Sequence, residues 1–177
     1  MDDFLELCKV RQSCRGFSER LVEHDKLAQC AEAGRLAHSG CNAQPWSFVA
    51  VENQDMVSQI ALCGQQLKQN SWLGTAKAFI IVLEEHAVLN PVISCFLDSQ
   101  YYAKGDIGAA TAYICLEAAT QGLGSCIIGI YDRKKIGELL NIPAEKQFGS
   151  MIALGYPAND LIREKKRKAF EDIVRFV

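Results

Sequence analysis

No apolar run in the 177-residue chain approaches the ~18 residues that a membrane-crossing helix needs. The start, Met1-Asp2-Asp3-Phe4, lacks the basic residues and apolar stretch of a secretory signal. Histidine is scarce, with three, and none of the eight cysteines forms a C-x-x-C pair, so no zinc spacing is present. An excess of one charge is also missing: 19 basic residues face 21 acidic ones, for a formal net charge of −2. Wholesale nucleic-acid binding needs a basic surface, so the charge balance disfavours that class. There is no Pro/Gly/Ser linker, repeat or low-complexity tract. What is present is 49% hydrophobic and 23% charged residues, the balance of a folded chain. At roughly 150 residues per domain, one domain over 1–177 is expected. The expected compartment is the cytoplasm, where thiols stay reduced and most cysteines serve as small buried hydrophobes.

The pattern alternates helices and strands. A helix is expected over Asp2–Val10, with Phe4, Leu7 and Cys8 on one face, and a second over His24–Ala37. Trp46–Val51 reads as a strand and Gln54–Cys63 as a helix stopped by Gly64. Phe79–Leu83 is the clearest strand. A long helix is expected from Asp106 to about Gln121, a strand over Ser125–Ile130, a helix from Asp132 to Leu140 and a strand over Met151–Leu154. Residues 85–104, interrupted by Pro91, give no clear pattern. Interleaved elements of both kinds point to a mixed sheet flanked by helices.

Three segments carry candidate chemistry. In Arg11-Gln12-Ser13-Cys14-Arg15 an extended backbone turns residues 11, 13 and 15 the same way. Two guanidiniums and a hydroxyl on one side suit a phosphate, although a solvated basic loop fits the same residues. In Ser39-Gly40-Cys41-Asn42-Ala43-Gln44-Pro45-Trp46 amides and a hydroxyl crowd a turn before a strand. Such groups match the mixed donor and acceptor edge of a heterocycle, and equally the end of a helix. The run Arg163-Glu164-Lys165-Lys166-Arg167-Lys168 adds a second basic group, provided the tail returns to the first loop. Gly122-x-Gly124 is no dinucleotide fingerprint: Ile127 stands where a third glycine is required, and the glycines follow a helix rather than a strand. With binding groups and no acid–base constellation, the pattern suits chemistry that resides in a cofactor.

Taken in order, these segments resemble the nitroreductase family of flavoproteins. The resemblance extends through Asp106-Ile107-Gly108-Ala109-Ala110, Gly122-Leu123-Gly124-Ser125-Cys126 and Met151-Ile152-Ala153-Leu154-Gly155-Tyr156-Pro157, and ends at Lys165-x-Arg167. It implies an α+β fold with a central mixed β-sheet flanked by helices, in an intertwined homodimer with FMN at the interface. It further implies that Arg11, Ser13 and Arg15 hold the FMN phosphate and ribityl chain, with Gln12 near the pyrimidine or ribityl end. Lys165 and Arg167 complete the phosphate site. Ser39 and Asn42, with Gln44 beside them, reach the flavin from the other subunit, and the backbone at Gly129 and Ile130 faces its reactive edge.

The implied activity is hydride transfer from NADH or NADPH through FMN to an electron-poor small molecule, such as a nitroaromatic or quinone, by a ping-pong mechanism. The chemistry sits at flavin N5, with no side chain assigned as catalytic and no metal. Two alternatives stay open: a non-enzymatic flavin-binding or redox-sensing protein, and a specialised flavin-modifying or dehalogenating member. The apolar end of the chain, Phe170 to Val177, is expected to make residues 157–177 an arm that packs on the partner subunit.

Overall fold

The computed structural model describes residues 3–65, 69–94 and 98–177. Four strands form one sheet: β1 (Trp46–Val51), β2 (Ala78–Glu84), β3 (Gly124–Ile128) and β4 (Gln147–Gly155), in the order β1-β2-β4-β3. β2 and β4 occupy the middle, and every residue of β2 up to Leu83 is buried. All three ladders are antiparallel, whereas a mixed sheet was expected from the interleaved pattern. Among the described residues, the parallel component is one isolated bridge between Ser13 and Ser125.

Alternation along β2 and β4 divides the core in two. Ala78, Ile80, Val82, Ile152 and Leu154 pack on α2 (His24–Arg35) and α5 (Ser99–Thr120) through Leu27, Cys30, Ile107, Ala110 and Ile114. Phe79, Ile81, Leu83, Met151 and Ala153 pack on the opposite layer, α3 (Gln54–Gly64) and α6 (Arg133–Leu140), through Val57, Ile60 and Ile136. A sheet covered on both faces explains why β2 is apolar throughout rather than alternating. α1 (Phe4–Val10) lies on α5, and α4 (Pro91–Ser94) is a single turn.

Local chemistry sets the helix ends. Asp3, Asn53, Asp98 and Asp132 each accept a backbone N–H at the start of α1, α3, α5 and α6. The cap of α1 is Asp3; Asp2, at the expected start, lies outside the described residues. α2 ends at Arg35, α5 begins at Ser99 rather than Asp106, β3 ends at Ile128 rather than Ile130, and β4 begins at Gln147 rather than Met151.

Two glycines let the segment after α1 lie flat on the sheet's end. A Cβ on Gly124 would stand 2.7 Å from Cys14 Cβ and Sγ, and one on Gly155 would stand 2.8 Å from the Phe17 ring. Residues 13–17 therefore run directly over the start of β3 and the end of β4.

Candidate functional site

The loop after α1 is built into the sheet edge. Ser13 pairs with Ser125, and the Cys14 N–H donates to the Ser125 carbonyl at 2.9 Å. Further on, Phe17 bridges Pro157, the Ala158 N–H donates to Gly16 O at 3.1 Å, and the Ser18 N–H donates to Tyr156 O at 2.8 Å. This fixes an extended backbone, so the side chains alternate. Cys14 turns inward onto the core, while Arg11, Ser13 and Arg15 line one outer cavity of about 330 Å³.

The tail forms the other wall of that cavity, with Arg163, Glu164, Lys165, Lys166 and Arg167. The expected return of the tail to the first loop is what the chain does. Its cations Arg11, Arg15, Arg163, Lys165, Lys166 and Arg167 are set against a single carboxylate, Glu164. The Lys165 ammonium is held below the usual lysine range, first by loss of water and then by the nearby Arg11 and Arg167. That self-repulsion is relieved by a bound anion, and a phosphate carries charge and acceptors for several of these donors at once. Arg163 was legible only as part of a basic run, yet it is the tail residue most tightly engaged with the loop. Its guanidinium donates to the Ser13 carbonyl and its Nε to Gln12 Oε1. Gln12, expected near the pyrimidine or ribityl end of a flavin, gives its amide to the tail.

From Ser125 the strand β3 leads to Gly129 and Ile130, about 13 Å away at the rise of a β-strand. Both residues are exposed, and a Cβ on Gly129 would meet no atom within 4 Å. Ile127 and Ile130 flank it, 47% and 46% exposed. The loop and strand together present a charged pocket at one end and a bare apolar edge at the other.

The turn after α2 is a separate structure. Ser39 Oγ accepts the Gln44 N–H at 2.9 Å, and Gln44 Nε2 donates to Asn42 O at 3.3 Å. Cys41, Asn42 and Gln44 all have positive φ, at 52°, 54° and 47°. Asparagine tolerates that region, whereas Cys41 and Gln44 are strained there, and strain of this kind gathers at functional sites. The Gly40 N–H donates to Asp106 Oδ2 at 3.1 Å, which pins the turn to α5 about two turns from its start. Asp106 is thus a supporting residue that its place in the sequence pattern did not assign. Arg11 shares a crevice with Ala119 near the other end of α5. The two segments lie about 20 Å apart along that helix, so one chain does not bring Ser39, Asn42 and Gln44 to Arg11, Ser13 and Arg15. Among the described residues, no group of three or more His, Cys, Asp or Glu is placed to hold a metal ion, and no helix is long and apolar enough to cross a membrane.

Comparison with known proteins bears on this geometry. A model of the nitroreductase family matches residues 8–156. The chain is 30% identical, over 90% of its length and 88% of the relative, to an Archaeoglobus fulgidus protein bearing the name NADH dehydrogenase/NAD(P)H nitroreductase. It is 28% identical to the oxygen-insensitive NADPH nitroreductase of Helicobacter acinonychis, covering 92% of this chain and 91% of that one. It is also 28% identical to the iodotyrosine deiodinase of Thermotoga neapolitana, covering 86% and 87%. Among solved structures, a nitroreductase family protein of Streptococcus pneumoniae superimposes with a TM-score of 0.84 at 22% identity, over 99% of this chain and 100% of that one. An FMN-dependent nitroreductase of Clostridium difficile superimposes with a TM-score of 0.73 at 26% identity, over 98% of both. The chain belongs to the nitroreductase family.

Proposed function

We propose that the chain is a cytoplasmic FMN-dependent oxidoreductase that takes reducing equivalents from NADH or NADPH and passes them to an electron-poor small molecule. One observation carries the reading. The loop at Arg11–Arg15 and the tail at Arg163–Arg167 close on one cationic cavity, and the strand paired with that loop ends in the bare Gly129–Ile130 edge. A phosphate-ended chain bearing a flat ring fits both ends.

In this reading Arg11, Arg15, Lys165 and Arg167 hold the phosphate and Ser13 adds a neutral donor. Gly129 leaves room for close backbone approach to a ring edge, and Ile127 and Ile130 keep water from its flank. Ser39, Asn42 and Gln44 reach the ring from a second copy of the chain. Bound there, FMN supplies the hydride and electron transfer between donor and acceptor. The open edge serves both in turn, which gives ping-pong kinetics. The chain is one domain. Its end, with Phe170, Ile173, Phe176 and Val177 all more than half exposed, packs on the second copy.

The test is the purified protein itself. It should show flavin absorbance and oxidise NADH or NADPH when a quinone or nitroaromatic is added. A colourless protein that leaves FMN fluorescence unquenched would overturn the reading. The Thermotoga deiodinase relative favours a second reading, reductive dehalogenation at the same site, which halide release from a halogenated phenol would reveal.

A further inference from the structure

Gln12 stands between Arg11 and Ser13, two residues assigned above to a phosphate, yet its amide is committed elsewhere. Its Nε2 donates to the Leu161 carbonyl at 2.7 Å. Its Oε1 accepts both the backbone N–H of Arg163 at 3.2 Å and Arg163 Nε at 3.1 Å. The Arg163 guanidinium goes on to donate to the Ser13 carbonyl, and Lys165 Nζ donates to the Arg11 carbonyl. Both functions of one amide and two edges of one guanidinium are thus used to join tail to loop.

We propose that Gln12 and Arg163 form a buckle that fastens the tail against the phosphate loop before any cofactor arrives, so that both are positioning residues. This rests on the proposed phosphate site. The physical need is plain. Residues 161–169 belong to no helix or strand, so no ladder holds them. They also bring cations up to a loop that already carries Arg11 and Arg15. An unfastened tail would swing away from like charge and lose its order, and a ligand would then have to gather it. The buckle fixes the tail through neutral carbonyls and an amide, which need no anion. Lys165 and Arg167 are then held ready for the phosphate.

Arg163 therefore differs from its basic neighbours. Its forked donors are occupied by Gln12 and Ser13, so its shape matters more than its charge. Lysine keeps the charge but cannot span both acceptors.

The experiment compares the full chain, freed of FMN, with Gln12→Ala, Arg163→Lys and the double variant. Amide exchange of 161–165 is read in the absence of cofactor, and FMN and riboflavin affinities are read by fluorescence. The wild type should protect the amide of residue 163, which Gln12 accepts, and Gln12→Ala should lose that protection. FMN affinity should fall by about tenfold in each single variant, no further in the double variant, with riboflavin unchanged because it lacks the phosphate. Wild-type FMN affinity in Arg163→Lys, losses that simply add in the double variant, or equal exchange in the wild type and Gln12→Ala would each overturn the buckle. A wild type that binds FMN no better than riboflavin would instead remove the phosphate site, and the exchange data alone would then decide whether the tail is fastened.

Discussion

Ser13 and Ser125 are joined in an isolated parallel bridge, 112 positions apart in a chain whose sheet ladders are otherwise antiparallel. The bridge ties the cationic loop to the strand that leads to Gly129, so the two ends of the proposed cofactor site share one backbone. Parallel pairing keeps side chains in register across the two segments. Cys14 and Cys126 both face the Phe79 side of the core.

That close approach leads to a first prediction. A Cβ on Gly124 would lie 2.7 Å from Cys14, closer than real Cβ atoms come, so Gly124→Ala must push the loop outward. Overpacking of this kind costs about 1–3 kcal/mol. Thermal denaturation should show that loss, and FMN titration should show a weaker site, because Ser13 moves with Cys14. Gly129→Ala is the control, with open space around its Cβ and no expected loss of stability.

A second prediction concerns Arg11. One charge-assisted hydrogen bond contributes ~1.5–3 kcal/mol, so Arg11→Ala should weaken FMN roughly tenfold to over a hundredfold while leaving riboflavin unchanged. The difference should shrink as salt rises, because part of the attraction is screened at this half-buried site. Equal losses for both flavins would mean that Arg11 supports the fold and does not touch the phosphate.

How much of this was legible depends on the range of each signal. β2 was plain because every position from Ala78 to Leu83 is buried. The first turns of α5 were not, since Tyr101 is 76% exposed and Tyr102 41%, leaving Ala103 as the fully buried contact. The first half of β4 was hidden by a register shift between Val82 and Leu83, which skips Gly149 and breaks the alternation. The face at Arg11, Ser13 and Arg15 was legible because it rests on local spacing, whereas Lys165 and Arg167 stood out from the basic run at 163–168 only through the family resemblance. The role of Gln12 was not legible, because its partners Leu161 and Arg163 lie 149 and 151 positions away and nothing near Gln12 announces them. The antiparallel sheet likewise depends on long-range pairing that interleaved elements do not specify.

A third prediction follows from the clamp at the root of the tail. Tyr156 Oη donates to Glu23 Oε2 at 2.7 Å, Lys26 Nζ donates to Tyr156 Oη at 2.8 Å, and Arg20 lies 3.9 Å above the Tyr156 ring. Hydrogen bonds from Tyr156 and then Arg20 hold the Glu23 carboxyl at about 2, below its ordinary 4.5. A carboxyl depressed in the folded state stabilises it above the unfolded value, and that contribution is lost as pH falls toward the folded one. The loss should fall between pH 4.5 and about 2. Glu23→Gln should flatten the acid limb of the stability curve in that window and leave the slope at neutral pH unchanged. An unaltered acid limb in Glu23→Gln would show that the clamp contributes nothing in solution.

The last prediction separates the cysteines and tests the turn after α2. Burial raises the thiols of Cys14, Cys115 and Cys126, and pushes Cys30 up to about 12, so all four should resist alkylation at neutral pH. Among the described cysteines, Cys8 and Cys41 are exposed and should react first. Cys41 sits between Gly40 and Asn42 in the strained turn that is assigned to the cofactor of a second copy, whereas Cys8 lies on α1. Added FMN should therefore slow labelling of Cys41 and leave Cys8 unchanged, with peptide mass spectrometry reading the two sites separately. Cys41→Ser should keep turnover within a few-fold, because the turn contributes backbone and amide groups and not a thiol. Equal labelling of Cys41 with and without FMN would place the turn away from the cofactor, and Ser39, Asn42 and Gln44 would leave the site with it. Loss of most turnover in a folded, FMN-replete Cys41→Ser protein would instead give the thiol a catalytic part that the geometry does not assign.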